Sequence, residues 1–317
     1  MIRCNKIKHI FDPRDHDTPV WMKEYAQLPY PVLLDNENIR IYFASRPFKE
    51  SKGNYTSNTG FIEVNPDDFE ILKISDEPIL NLGKSGAFDE HGLMTSSVIQ
   101  TDGEWRAYYT GWFRLSSVPY SMSIGVAKSD DGITFNRYGE GPILGVSLNE
   151  PYLTSGPIVK YIDGQYHMWY LMGVKWLKTN EKHEPVYKLT HATSKDGLNW
   201  YRESREIMES KYEDECQVSF ALFQKEDLYH SIFAYRKPLD FRDNSKNSYR
   251  LGYAYSKDLK HWIRDDSQID IDVSESGWDS EMIAYPQVLE LRDKIFLFYC
   301  GNGFGYTGFG VADLIID

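Results

Sequence analysis

Hydrophobic and polar positions alternate in short runs, and residues 96–137 show the pattern most clearly. A β-rich run at 96–100 is followed by the hairpin signal Asp102-Gly103. A tightly alternating aromatic run follows at 105–112, then a third run at 124–127. Ser129-Asp130-Asp131-Gly132 marks a tight turn, and 133–137 begins a fourth strand. The stretch predicts one four-stranded antiparallel meander.

The meander recurs five times. Second strands align as RIYFAS (40–45), WRAYYT (105–110), YHMWYL (166–171), YHSIFA (229–234) and IFLFYC (295–300). First-strand anchors fall at Val32, Val98, Ile158, Leu222 and Val288, spaced by 66, 60, 64 and 66 residues. Third strands and their turns recur at 125–135, 191–200 and 252–262. Such units cannot bury both faces alone, and stacking around an axis buries them. The repeat predicts an all-β fold, a five-bladed β-propeller of four-stranded antiparallel blades. A β-sandwich fits the strand count but not the repeat. The fifth module has no room for a fourth strand before Asp317, so residues 2–10 are expected to supply it and close the ring. The continuous repeat makes residues 1–317 one domain.

Charge narrows the partners. A formal net charge of −12 and no basic run argue against a nucleic-acid backbone or an anionic membrane surface. The chain carries 23 Tyr and 8 Trp. Most must fill the faces between blades, and those at strand ends suit the apolar face of a sugar. No apolar signal-peptide core and no run of membrane-spanning length is present. Cys4, Cys216 and Cys300 lack motif spacing and read as reduced thiols. The expected location is cytoplasmic.

Polar loops at 46–59, 174–188 and 236–249 all follow second strands. In a meander they open on the same face as the segments that precede first strands, and loops carry function. The opposite face has short Asp-Gly turns. There Ser-x-Asp-Gly-x-x-Trp resembles the Asp-box of sialidases, but Asp and Gly satisfy the turn itself. Asp130, Asp131, Asp196 and Asp258 are therefore not catalytic candidates.

On the loop face, carboxylates precede the first strands: Asp89 in blade two, Glu150 in blade three, Glu215 in blade four, and Asp279 with Glu281 in blade five. Acids gathered near an axis repel one another and split their pKa values. Glycosidic bond cleavage needs such a pair, one protonated and one ionised. The competing reading makes them hydrogen-bonded loop anchors. Second strands end in Arg46, Trp112 and Arg114, Lys175 and Trp176, Arg236, and Asn302 with Tyr306; His91 follows Asp89 closely. These are the candidate substrate-binding residues. The arginines either salt-bridge the acids or clamp a ligand carboxylate or phosphate. Arg46 and Arg236 belong to blades separated only by blade five, so both can reach one pocket. No spaced ligand set for a metal appears, and no cofactor is expected; a calcium ion or a water at the axis is the alternative.

The five modules, the carboxylates before first strands and the Ser-x-Asp-x-x-x-Trp turns resemble the five-bladed propeller glycosidases. These are the arabinanase/β-xylosidase, invertase/levansucrase and β-mannoside phosphorylase types. Phe88-Asp89, Gly111-Trp112, Gly277-Trp278-Asp279-Ser280-Glu281 and Gly301-Asn302-Gly303-Phe304-Gly305 look more closely like bacterial glycosidase-like propellers associated with surface-polysaccharide biosynthesis. The resemblance implies a glycoside hydrolase or transglycosylase, with Glu150 as acid and Asp89 as its orienter. Asp279, Glu281 or Glu215 would be the base or a substrate clamp. Blade one lacks the Asp base of the arabinanase type, having Glu24 and Gln27 near its strand. The alternatives are a non-catalytic saccharide or nucleotide-sugar binding propeller, and a glycoside phosphorylase or glycosyltransferase. The expected ligand is a saccharide or sugar phosphate.

Overall fold

The computed structural model describes residues 1–50, 53–179 and 182–316. Its chain forms five antiparallel sheets, one per module. Blade one is Glu24–Leu33, Ile39–Arg46, Asn58–Val64 and Ile71–Ile74. Blade two is Gly92–Thr101, Glu104–Arg114, Tyr120–Ser129 and Asn136–Arg137. Blade three is Thr154–Ile162, Gln165–Lys178, His183–Ser194 and Tyr201–Arg202. Blade four is Cys216–Lys225, Leu228–Arg236, Arg250–Ser256 and Ile263–Arg264. In blade five, Ala284–Leu291, Lys294–Cys300 and Phe309–Ile316 are completed by Ile2–Phe11, which pairs antiparallel with Phe309–Ile316. The ring is closed by the N-terminal strand, as the short fifth module requires. A two-residue strand, Ile269–Asp270, adds a parallel pairing outside it.

Turn chemistry explains the strand ends. Asp102-Gly103 and Asp163-Gly164 both hold positive φ at both residues, the geometry of a two-residue hairpin. In the third-to-fourth strand turns, Ser129 Oγ accepts from the Gly132 amide, and Asp131 Oδ1 accepts from the amides of Ile133 and Thr134. Ser194/Asp196 and Ser256/Asp258 repeat the arrangement. Bonds from the Asn199 amide and side chain hold Asp196 well below the usual carboxylate range. These aspartates are turn formers.

The same turns lock neighbouring blades. Arg40 and Tyr42 of blade one donate to the Gly132 carbonyl of blade two. Arg106 and Tyr108 of blade two donate to the carbonyls of Asp196 and Gly197 in blade three. Large aromatics fill the space between sheets: Tyr42, Phe43, Phe61, Tyr108, Tyr109, Trp169, Tyr170, Phe220 and Tyr299 are all fully buried. Each buries on the order of 150–250 Å² and dominates the packing.

Candidate active site

Every first strand breaks register with its second strand near the axis, at 27/30, 95/97, 155/158, 218/221 and 284/287. A β-bulge re-aims side chains. In three blades a non-glycine residue at the break, Leu28, Ser219 or Tyr285, has φ between 54° and 59°. Strained backbone of this kind collects at functional sites. Around these bulges lies a cavity of about 470 Å³, within the range of small-ligand sites. Its walls draw on blades one to five, with Gln27, Met94, Ser155, Val218 and Tyr285 from the first strands.

Arginines dominate its polar lining. Arg46, the last residue of its strand, donates to Gln27 Oε1 at 2.9 Å and lies over the rings of Tyr25 and Tyr55. Its Nε is buried without a partner. Burial without a counter-ion pushes this guanidinium below its usual pKa. Arg236, 2% exposed, donates to Tyr187 Oη, Tyr249 Oη and the carbonyl of Lys237, and stacks 3.6 Å over Phe241. None of its hydrogen-bond partners is a carboxylate. Arg114 donates to the Tyr55 carbonyl. Arg242 pairs with Glu184, Nε to Oε1 at 3.1 Å and Nη2 to Oε2 at 3.3 Å. Burial would raise the Glu184 pKa, but Arg242 and Lys182 outweigh it and hold the carboxyl below its ordinary value. Among the described residues lining the cavity, four guanidinium groups face one carboxylate. Tyr120, Tyr187, Tyr249 and Tyr285 complete the wall, and burial raises all four phenols, keeping them neutral donors.

The carboxylates expected at the axis lie elsewhere. Each is buried and turned along its own blade toward the outermost strand. Asp89 accepts from Arg137 at 2.6 Å and from Tyr109 Oη at 3.2 Å. Glu150 accepts from Arg202 at 2.9 Å, Tyr170 Oη at 2.6 Å and Ser204 Oγ at 2.8 Å. Glu215 accepts from Arg264 at 2.7 Å and Gln217 at 3.0 Å. Asp279 accepts from Lys6 at 2.7 Å and Tyr299 Oη at 3.0 Å. Lys6 sits on the closing strand, so blade five reproduces the anchor with a lysine from the other end of the chain. None of the four lines the cavity, and their expected convergence on the axis is corrected by these in-blade partners. Glu281 is exposed and lines neither the axial cavity nor the hollow beside it; its backbone amide is held by Asn302 Oδ1.

Of the expected binding residues, Arg46, Trp112, Arg114 and Arg236 line the cavity together. Tyr306 lines a second hollow of about 550 Å³ beside it, with Glu24, Tyr25, Lys49, Tyr55, Arg242 and Phe304. His91 stacks on Trp112 outside the lining, and Trp176 packs edge-on against Tyr120. Lys175 pairs with Asp214 and lines neither space; Asn302 braces the loop before blade five. Glu184, Arg242, Tyr25, Tyr55, Tyr120, Tyr187, Tyr249 and Tyr285 were not singled out from sequence as site residues. Five of them lie in or beside the polar loops after second strands, which was the available signal. Among the described residues, no group of three or more His, Cys, Asp or Glu side chains is placed to hold a metal. No described helix is long and apolar enough to cross a membrane.

No family model matches the chain. Solved structures share its architecture. A glycoside hydrolase superposes with a TM-score of 0.72 at 13% identity, covering 98% of this chain and 91% of that one. The β-1,2-mannobiose phosphorylase of Listeria innocua, in complex with β-1,2-mannobiose, gives 0.66 at 11% identity, covering 99% and 96%. The fold is thus that of the five-bladed glycoside hydrolase and mannoside phosphorylase propellers. In sequence, β-1,2-mannobiose phosphorylase of Thermoanaerobacter sp. (strain X514) is 24% identical over 173 residues, 51% of this chain and 54% of that protein. The uncharacterized protein Rv1502 of Mycobacterium tuberculosis (strain ATCC 25618 / H37Rv) is 32% identical over 296 residues, 93% of this chain and 94% of that protein. With that identity sustained over nearly the whole length of both chains, this five-bladed propeller belongs to the family of Rv1502.

Proposed function

We propose that the protein is a carbohydrate-active enzyme whose axial cavity holds a saccharide beside an anionic group, and that it transfers a glycosyl unit to or from phosphate. One observation carries this reading: among the described lining residues, four arginines face a single carboxylate in the cavity of a chain with net charge −12. Arginine recognises phosphate through parallel N–H bonds. A hydrolase of the two-carboxylate kind needs its acids about 5–5.5 Å or 6.5–9.5 Å apart across the bond. The described lining supplies Glu184 alone. Phosphorolysis needs only one protein acid, because phosphate is the nucleophile. A phosphate oxygen bonds to the anomeric carbon as the glycosidic C–O bond breaks. The leaving oxygen takes the acid's proton, and the proton carried in on phosphate returns to the acid through solvent. Similarity to a β-1,2-mannobiose phosphorylase over half the chain agrees with this class.

In this reading Asp89, Glu150, Glu215 and Asp279 are blade anchors, while Arg46, Arg114, Trp112 and Arg236 contact ligand. The test is product formation from disaccharides with and without inorganic phosphate. Glycosyl phosphate appearing only with phosphate supports the proposal. Phosphate-independent release of free sugars refutes it in favour of hydrolysis. A second reading, binding without turnover, is favoured by Glu184 being already ion-paired. It predicts saturable binding of an acidic sugar with no product.

A further inference from the structure

The pair between exposed Arg242 and buried Glu184 differs from the pairs within blades. Within blades, arginine–carboxylate contacts reach 2.6, 2.9 and 2.7 Å. At the cavity the two bonds are 3.1 and 3.3 Å, long for charge-assisted hydrogen bonds, which run about 2.7–2.9 Å. Arg242 also comes from the polar 236–249 loop rather than from a strand, and lies over the rings of Phe241 and Phe304. It lines both the axial cavity and the outer hollow. An entering anion meets Arg46 and Arg236, neither of which has a carboxylate partner among its hydrogen bonds. Arg242 is within reach of their fields: its charge adds to the burial that lowers the Arg46 pKa, while its own pKa is raised because the Glu184 contacts outweigh burial and the charge of Arg236.

We infer that Arg242 exchanges Glu184 for the incoming anion, and that Glu184, left with Lys182 alone, takes up a proton and becomes the donor to the leaving glycosidic oxygen. The inference rests on the anion-binding reading of the cavity. Its logic is electrostatic. Glu184 faces Arg242 and Lys182, with Tyr120, Tyr187, Arg236 and Arg46 in the same lining, and these cations hold its carboxyl below the ordinary value. A bound anion removes the Arg242 contacts and adds negative charge nearby. Both changes favour the protonated carboxyl, since a like charge and the loss of a cation each raise a carboxylate pKa. Burial of Glu184, 4% exposed, acts in the same direction. The acid would then be armed only when the nucleophile's site is filled, which disfavours wasteful bond cleavage without phosphate.

The probe is sulfate, which shares phosphate's shape and does not titrate near neutrality. Calorimetric titration at pH 6 in buffers of different ionisation enthalpy reads proton uptake directly. Wild-type protein is expected to take up a measurable fraction of a proton per sulfate bound, and Glu184→Gln none. Glu184→Gln should bind sulfate at least fivefold more tightly, because the competing carboxylate is gone. In an Arg242→Gln background the same change should matter less than twofold. Uptake-free binding by the wild type, or an equal gain from Glu184→Gln in both backgrounds, overturns the exchange while leaving the anion site standing. Failure of wild-type protein to bind sulfate or phosphate overturns the anion site and the exchange together. Should either variant fail to fold, the wild-type proton-uptake measurement decides alone.

Discussion

Replacing Glu150 by Gln separates an anchor from a catalyst. Glu150 is fully buried and joins the segment before blade three to Arg202 on that blade's outermost strand, with Tyr170 and Ser204 as further donors. The amide keeps the shape but removes the charge and leaves Arg202 unpaired. Breaking a buried pair costs about 3–5 kcal/mol when both partners are dry. Arg202 is 21% exposed, so water recovers part of that, and about 2–3 kcal/mol is expected. The loss corresponds to a Tm lower by roughly 3–5 °C for a chain of this size. Circular dichroism melting and a titration with inorganic phosphate on the same sample read both quantities. An anchor gives a lower Tm with phosphate affinity unchanged within about twofold. An unchanged Tm with lost turnover on a glycoside would refute the anchor reasoning and restore Glu150 as a catalytic acid.

Other expectations follow from the same geometry. Deleting residues 2–10 strips the outer strand from blade five and the lysine from Asp279, exposing the edge of Phe309–Ile316; size-exclusion chromatography should show aggregation. A monodisperse variant with unaltered melting contradicts closure. Arg236→Met removes a buried guanidinium with no carboxylate partner, and phosphate affinity should fall by about 1.5–3 kcal/mol, roughly 10- to 150-fold, in calorimetry. Equal affinity in both proteins excludes Arg236 from the anion site. His167 and His191 are stacked and hydrogen-bonded between blades three and four, and burial lowers both, His167 to about 4. Their unfolded pKa is higher, so the unfolded state binds protons first. Stability is therefore full above about pH 6.5 and declines toward pH 4, and His167→Gln should flatten that slope of Tm against pH. An identical slope in the variant removes His167 from the effect.

The blades were legible because their determinants are local. Alternating runs, Asp-Gly turns and a spacing of 60–66 residues specify each meander, and the short last module specifies closure by the first strand. Part of the cavity lining was legible too, since Arg46, Trp112, Arg114 and Arg236 lie at or near the ends of second strands whose direction follows from the meander. The carboxylates were misplaced because position in the chain fixes where a backbone lies, not which way its side chain turns. Their partners sit 48, 52, 49 and 273 residues away, on strands too short or too distant to draw notice. A covarying pattern within the chain was available: blades two, three and five carry Tyr109, Tyr170 and Tyr299 at one second-strand position, beside the acid. Blade four has Phe233 there, and Arg264 lies over that ring while Gln217 supplies the missing hydrogen bond. Arg242 was hidden in a loop, where no period marks which side chain faces inward, and Glu184 in a stretch that reads as loop from its polar residues but forms the start of the third strand of blade three.

The central claim is that the arginine-lined axial cavity is where this propeller holds an anion beside a sugar. A crystal structure of the protein with inorganic phosphate tests it most directly. The account predicts phosphate within hydrogen-bond distance of Arg46 and Arg236, with Arg242 turned from Glu184 toward it. Phosphate bound only outside the cavity, with Arg242 still on Glu184, would contradict it.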